Sequence, residues 1–324
     1  MPNSVHQRPG PLTSRFGAVV SSLQVVQVPA DGAEDVVVGT SGRDEGAIFT
    51  GTADGSIWRI SHDAQRIDLV THTGGRPLGL ELDGDGRLLV CDARRGVLRV
   101  DPATGRIEHL TDTAAGRALV FCNNAAVAGD GTVWFSDSSA HHGIDHWKDE
   151  MVQATRTGRL VRLASDGSAT VAVDGLSFAN GVALSTDEAF VAVAETAARR
   201  VVRHWLDGRP DDLLVGDLPG YPDNIARGSD GLIWVTIASP TDPVVERLQS
   251  APGWLQRSVT KVPERLQPKP RRTVRVQAYD DHGTLVHDVD IDTPHFHMVT
   301  GVREHDGVVW LGSLHEPAVA SFRL

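Results

Sequence analysis

Cysteine is almost absent from this chain. Cys91 and Cys122 are the only two in 324 residues. That is too few for a disulfide framework, and both fall in apolar, strand-like runs where a buried free thiol is the ordinary state. Positive charge is also in deficit: 31 Lys and Arg stand against 42 Asp and Glu, a formal net charge of −11. Nucleic-acid phosphates need a basic stripe, so that class of partner is excluded. The acidic balance suits solubility, or an uncharged or cationic small molecule. No run of about 18 apolar residues exists, and no basic segment followed by an apolar one opens the chain. A membrane partner is therefore not expected, and the cytoplasm is the expected compartment. Three catalytic signatures are missing as well: the Gly-x-Ser-x-Gly elbow, the phosphate-binding P-loop and the His-Glu-x-x-His helix. Oligomeric state is not fixed by any of these features.

What the chain has in quantity is turn chemistry, with 33 Gly and 17 Pro. Five Asp-Gly turn signals recur, at Asp54-Gly55, Asp85-Gly86, Asp130-Gly131, Asp230-Gly231 and Asp306-Gly307. Thr186-Asp187-Glu188 fills a sixth slot without the glycine. Four of the turns are followed at one fixed offset by tryptophan, namely Trp58, Trp134, Trp234 and Trp310, which is expected to pack between repeats. The intervals bracket the length of a four-stranded propeller blade. The expected fold is therefore all-β, a six-bladed β-propeller with short helical insertions. Residues 1–20 read as a loose lead-in and 21–324 as one propeller domain. The insertions fall at about 143–155 and about 243–267, the second broken by Pro252 and Pro263. Gly96–Val100 and Arg199–Arg203 read as strands. The apolar ends, Leu23–Val26 and Val319–Phe322, are placed to share one blade and close the ring. A β-sandwich is the alternative.

In a propeller the innermost strand of each blade runs along the central channel, so equivalent positions form a ring. Three copies of the phrase before the turn open on Asn123, Asn180 and Asp223, seven residues ahead of the turn aspartate. The same count gives Leu78. The last copy is one residue shorter and offers Thr300, and the first is two longer and offers Glu45. Asn224 adds an oxygen-bearing side chain from the next position. Carboxylate and amide oxygens without cysteine or histidine suit calcium, with magnesium or manganese as alternatives. The same residues could instead make turn and strand-start hydrogen bonds. Among 14 histidines, His297 and then His142 are the candidates for a general base, although a solvated loop histidine is the plainer reading of each. Phe178, Tyr221 and Phe296 lie just before ring positions. With Leu78 and Thr300 they are the candidate walls of a substrate pocket, core packing being the alternative.

At these residues the chain resembles the strictosidine synthase-like family, from about Glu45 to Leu314. The resemblance is carried by Thr157-Gly158-Arg159-Leu160, Phe178-Ala179-Asn180-Gly181-Val182-Ala183-Leu184, Leu218-Pro219-Gly220-Tyr221-Pro222-Asp223-Asn224-Ile225 and Gly307-Val308-Val309-Trp310-Leu311-Gly312-Ser313-Leu314. That family is similar in fold to the gluconolactonase/regucalcin, diisopropylfluorophosphatase and paraoxonase groups. The resemblance implies a catalytic calcium, with Glu45, Asn123, Asn180 and Asp223 matching its ligands and Asn224 resembling an additional asparagine. It implies a metal-dependent hydrolase of a lactone or related ester, in which Asp223, or His297 through a water, helps deliver the nucleophile. There are two departures. Thr300 stands where plant strictosidine synthases carry a glutamate, which counts against amine–aldehyde condensation. Arg76-Pro77-Leu78-Gly79 lacks the histidine of paraoxonase-like sites. A biosynthetic cyclase and a non-catalytic binding propeller are the other two classes considered.

Overall fold

The computed structural model describes residues 22–259 and 272–324, together with the backbone of 12–13 and 19–20, which pair as two short antiparallel strands. The remainder of the lead-in, and the end of the second insertion with Pro263, lie outside the described residues. Six four-stranded antiparallel sheets form the six blades of a propeller. Their inner strands are Val36–Val38, Pro77–Leu82, Cys122–Val127, Ala179–Leu184, Gly220–Arg227 and Val299–His305. The ring closes as the terminal runs require. Gln24–Gln27 supplies the outer strand of the sixth blade against Ala318–Arg323, with Val26 opposite Val319. Gly96–Val100 and Arg200–Trp205 are third strands of their blades.

The recurrence of Asp, Gly and Trp has a local cause. Gly131 takes φ +84° while Asp130 Oδ1 accepts the Thr132 amide at 2.8 Å, which closes the tight turn. In the fifth blade the turn aspartate also reaches the tryptophan: Trp234 Nε1 donates to Asp230 Oδ2 at 3.1 Å. Trp134 and Trp234 are buried between their own blade and the next one. Cys91 and Cys122 are buried free thiols, and burial pushes the Cys122 thiol well up.

A second pattern lies one residue past each ring position. Blades two, four and six carry Gly79, Gly181 and Gly301 there. Blades one, three and five carry Asp35, Asn124 and Asn224. A Cβ on Gly181 would sit 2.0 Å from the Ile225 nitrogen, and one on Gly301 would sit 2.5 Å from the Glu34 carbonyl oxygen. The glycines let neighbouring inner strands close on the axis, while the larger polar side chains of the other three blades fill the channel.

The first blade departs from the expected alignment. In blades two to six the turn follows the inner strand. In the first blade Asp54-Gly55 joins Ile48–Gly51 to Ser56–Ile60, the second and third strands. The inner strand, Val36–Val38, is entered from Glu34 and Asp35. Glu45 follows a single 3-10 turn, Gly42–Asp44, on the connection to the second strand. It therefore lies at the opposite end of the blade, in a groove with His62 and His305. Glu34 holds the ring position that spacing alone assigns to Glu45.

Both insertions are helical and both connect second to third strands, at the end of the blades where the inner strands begin. Helix α1 (Trp147–Gln153) belongs to the third blade. Helices α2 (Pro243–Gln249) and α3 (Gly253–Val259), separated by Pro252, belong to the fifth. Asp242 caps α2 by accepting the Val244 amide at 2.8 Å, with Pro243 in the first turn. The helices meet over the channel mouth, where Gln249 Nε2 donates to the Met151 carbonyl at 2.8 Å.

Candidate functional site

The ring at the channel mouth comprises Glu34, Leu78, Asn123, Asn180, Asp223 and Thr300. Four of these, Glu34, Asn123, Asn180 and Asp223, line one cavity of about 270 Å³ beneath the helices. The amide nitrogens of the two asparagines are engaged within their own blades. Asn123 Nδ2 donates to Ser138 Oγ at 3.0 Å, and Asn180 Nδ2 donates to Thr196 Oγ1 at 3.1 Å. Each hydroxyl stands just past the end of its blade's second strand. The arrangement leaves Asn123 Oδ1, Asn180 Oδ1 and Asp223 Oδ1 buried without a hydrogen-bond partner. Asn224 is also buried, and neither end of its amide finds a partner. Buried polar atoms are paired in the great majority of cases, so several orphans at one channel mouth call for an explanation.

The electrostatics point the same way. Burial pushes the Glu34 carboxyl up to about 7; the Arg76 guanidinium opposes that rise and Asp35 adds to it. Arg76 Nη2 lies 3.2 Å from Glu34 Oε2, and Arg76 Nη1 donates to the Gly32 carbonyl at 3.1 Å. Burial drives the Asp223 carboxyl well above the usual carboxylate range, and the Glu34 charge adds to the effect. Asp35, one step down the channel, is likewise raised to about 7 by burial, against the pull of Arg303. Its carboxylate accepts the Leu80 amide at 3.0 Å and Asn124 Nδ2 at 3.3 Å.

Among the described residues no group of three or more His, Cys, Asp or Glu side chains is placed to hold a metal ion. The donor set at the ring is of another kind: two carboxylates and two amide oxygens, the hard ligands that calcium takes and zinc or copper does not favour. Two carboxylates balance a dication, and the orphaned oxygens of Asn123, Asn180 and Asp223 are left over for it. These residues fit a hard divalent cation. Without one, two buried acids share the ring at a cost in desolvation and repulsion.

The structure separates the other candidates. Phe178 and Tyr221 line the cavity, and Phe178 lies against Phe121 with ring centroids 5.7 Å apart. Leu78 is in the same apolar cluster as these residues but does not line the cavity. Phe296 is wholly buried in the core between the fifth and sixth blades, among Trp234, Val274 and Val299. Thr300 is buried, and its hydroxyl donates to the Glu34 carbonyl at 2.9 Å. Among the described residues no histidine lines the cavity. His297 Nδ1 is engaged by the Glu316 carboxylate, with the ring edge-on to His315 at 5.6 Å, while the adjacent Met298 reaches the cavity. His142 lies on the loop leading into α1, its backbone amide held by Ser139 Oγ at 3.1 Å. Glu34, Arg76 and the helix side chains Trp147, Met151 and Leu248 were not expected from spacing. The signal for Glu34 was the alternation of polar residue and glycine one place further on, which puts Asp35 in the series with Asn124 and Asn224.

The family model described as SMP-30/Gluconolactonase/LRE-like region matches residues 40–265. The chain is 31% identical over 311 residues to the adipocyte plasma membrane-associated protein of Salmo salar, covering 86% of this chain and 73% of that one. It is 32% identical over 266 residues to a strictosidine synthase-like protein of Arabidopsis thaliana, covering 78% and 71%. Among solved structures, a gluconolactonase from Xanthomonas campestris superposes with a TM-score of 0.68 at 17% identity, over 99% of both chains. A calcium-binding protein, regucalcin, from Agrobacterium tumefaciens does so with a TM-score of 0.61 at 12% identity, over 91% and 90%. At those identities the likeness is one of fold. No helix among the described residues is long and apolar enough to cross a membrane.

Proposed function

The chain belongs to the SMP-30/gluconolactonase/LRE-like family, and from that footing we propose that it is a divalent-metal-dependent hydrolase of a lactone or related ester. The observation that carries the proposal is the set of unpartnered buried oxygens on Asn123, Asn180 and Asp223, converging with Glu34 on one open cavity. Glu34, Asn123, Asn180 and Asp223 would hold the metal, with Asn224 as a further oxygen donor. Calcium is the favoured ion, magnesium or manganese the alternatives. A bound dication supplies polarisation of the ester carbonyl and stabilises charge developing on its oxygen.

The chain's own residues do the rest. Ser138 and Thr196 fix the two asparagine amides so that their oxygens face the cavity. Arg76 holds the Glu34 carboxylate, and the Thr300 hydroxyl holds the backbone carbonyl of the same residue. Asp223 lines the cavity, and its carboxylate is the group we assign to take a proton from an attacking water. Helices α1 and α2 line the mouth of the cavity. An open cavity beside the oxygen ring favours a working site over a closed structural one. An amine–aldehyde condensation finds no acid at Thr300, whose hydroxyl is already engaged.

Elemental analysis of the purified protein, paired with a screen of lactones and aryl esters before and after chelation, tests the proposal. One equivalent of a divalent metal and loss of hydrolysis on chelation are expected, with recovery on adding the metal back. Full hydrolysis in a metal-free sample would overturn metal dependence, and no hydrolysis across the panel would overturn the reaction.

A further inference from the structure

The cavity has two kinds of lining that divide cleanly by origin. Its floor is the oxygen ring on the inner strands. Its walls are apolar and come largely from the insertions: Trp147 and Met151 from α1, and Val245 and Leu248 from α2, together with the Phe121–Phe178 pair. The polar side chains in those walls are mostly already satisfied. Thr196 Oγ1 accepts from Asn180, and Ser239 Oγ donates to the Pro240 carbonyl at 3.2 Å. Asp149 is bonded to His146 Nδ1 at 2.9 Å, and Asp242 caps α2. Among the described residues the charged side chains lining the cavity are Glu34, Asp149, Asp223, Asp242 and Lys148, and two of the four acids, Asp149 and Asp242, belong to the helical walls.

Building on the hydrolase reading above, we propose that the substrate is an uncharged ester or lactone carrying an apolar alkyl or aryl group, and not a polyhydroxylated sugar lactone or an anionic ester. The ester group meets the floor, and the apolar group lies between the two phenylalanines and the helices. A sugar ring placed there would lose water from each hydroxyl and find few free partners, at a cost of roughly tenfold in affinity for each one left unpaired. Each methylene of an apolar tail moves from water into the wall, a gain of about fourfold at full burial. An anionic tail would lie among walls that carry the carboxylates of Asp149 and Asp242.

Alkyl cyclopentanones with tails from methyl to hexyl test this without turnover, since they present the same ring carbonyl and cannot be hydrolysed. Their affinities for the metal-loaded protein, measured by calorimetry, are set beside turnover of the γ-lactones with the same tails, of gluconolactone and of a tail ending in carboxylate. Affinity should rise roughly two- to fourfold per methylene until the cavity is full. Gluconolactone and the carboxylate should be at least about tenfold poorer than the longest neutral tail. Leu248→Asn and Trp147→Ala should each flatten the dependence on tail length. Affinity independent of tail length, or a preference for the sugar or the anion, would overturn the assignment. Graded binding of the ketones with no lactone turned over would leave the apolar pocket standing and remove the hydrolase reading. Turnover with no dependence on tail length would do the reverse.

Discussion

The floor and the roof of the cavity are built on opposite terms. The floor is buried, polar and electrostatically costly: Glu34 and Asp223 are both raised by desolvation, and three amide or carboxylate oxygens lack partners. The roof is apolar on its cavity side, and α1 is anchored to the third blade where Ser139 Oγ donates to the buried Glu150 carboxylate at 2.6 Å. Beyond contacts among the helices, Tyr221 ties it to the fifth blade, its hydroxyl donating to Glu246 at 3.1 Å and accepting the Asp242 amide at 3.2 Å. Arg199 adds an ion pair to Glu246 at 3.3 Å. Strain concentrated on rigid strands and apolar surface carried on short insertions point to a division of labour. The strands supply chemistry, and the helices supply selection.

The sharpest way to break that contrast is at the floor. Asp223→Ala should lower metal affinity by more than about a hundredfold and remove turnover with it. Asp223→Asn should do the same for binding while raising the melting temperature of the chelated protein by a few degrees, because a buried carboxylate facing Glu34 is replaced by a neutral group of the same shape. Titration calorimetry and a thermal melt with and without chelator read both effects. A chelated variant that melts well below the chelated parent would show that the floor is not strained. Glu34→Gln comes next, with an expected loss of about ten- to a hundredfold in metal affinity. The amide keeps an oxygen but removes one of two charges, and it breaks the pair with Arg76.

The roof should respond differently. Tyr221→Phe deletes one hydroxyl and two hydrogen bonds to the α2 segment, worth about 1 kcal/mol each. We expect KM to rise severalfold with kcat within about twofold, because the apolar wall loosens while the oxygen ring is untouched. Steady-state kinetics check this. A large fall in kcat with KM unchanged would place Tyr221 in the chemistry instead of the roof.

The sequence made the floor more legible than the roof for physical reasons. Inner strands repeat because each blade solves the same problem, bringing backbone to a crowded axis, and the turn aspartates mark the register. That is how Asn123, Asn180 and Asp223 could be located by counting. Blade closure by Gln24–Gln27 against Ala318–Arg323 was legible from apolar ends alone. The roof belongs to no repeat. Trp147 and Leu248 reach the cavity because two insertions meet across the mouth, a tertiary contact that neither segment encodes by itself. Phe296 shows the converse failure. It lies a few residues before a ring position, as Tyr221 and Phe178 do, but it turns into the core between blades. The histidines failed similarly: His297 is near the sixth inner strand in sequence, yet its ring pairs with Glu316 while its neighbour Met298 faces the cavity.

The smallest expected effect isolates the one floor position that counting misplaced. Glu45 and Glu34 are both glutamates close to the first inner strand, and spacing from Asp54 favours Glu45. The fold puts them at opposite ends of the first blade, because here the Asp-Gly turn serves the second and third strands. Glu45 lies in the groove with His62 and His305, in contact with solvent, where its charge is screened. Glu45→Gln should therefore leave metal affinity within about twofold of the parent and turnover unchanged. Measured beside Glu34→Gln under identical salt, it compares the same chemical change at two places. Equal losses from both would mean that the first blade follows the register of the other five, and the oxygen ring would have to be redrawn with Glu45 in it.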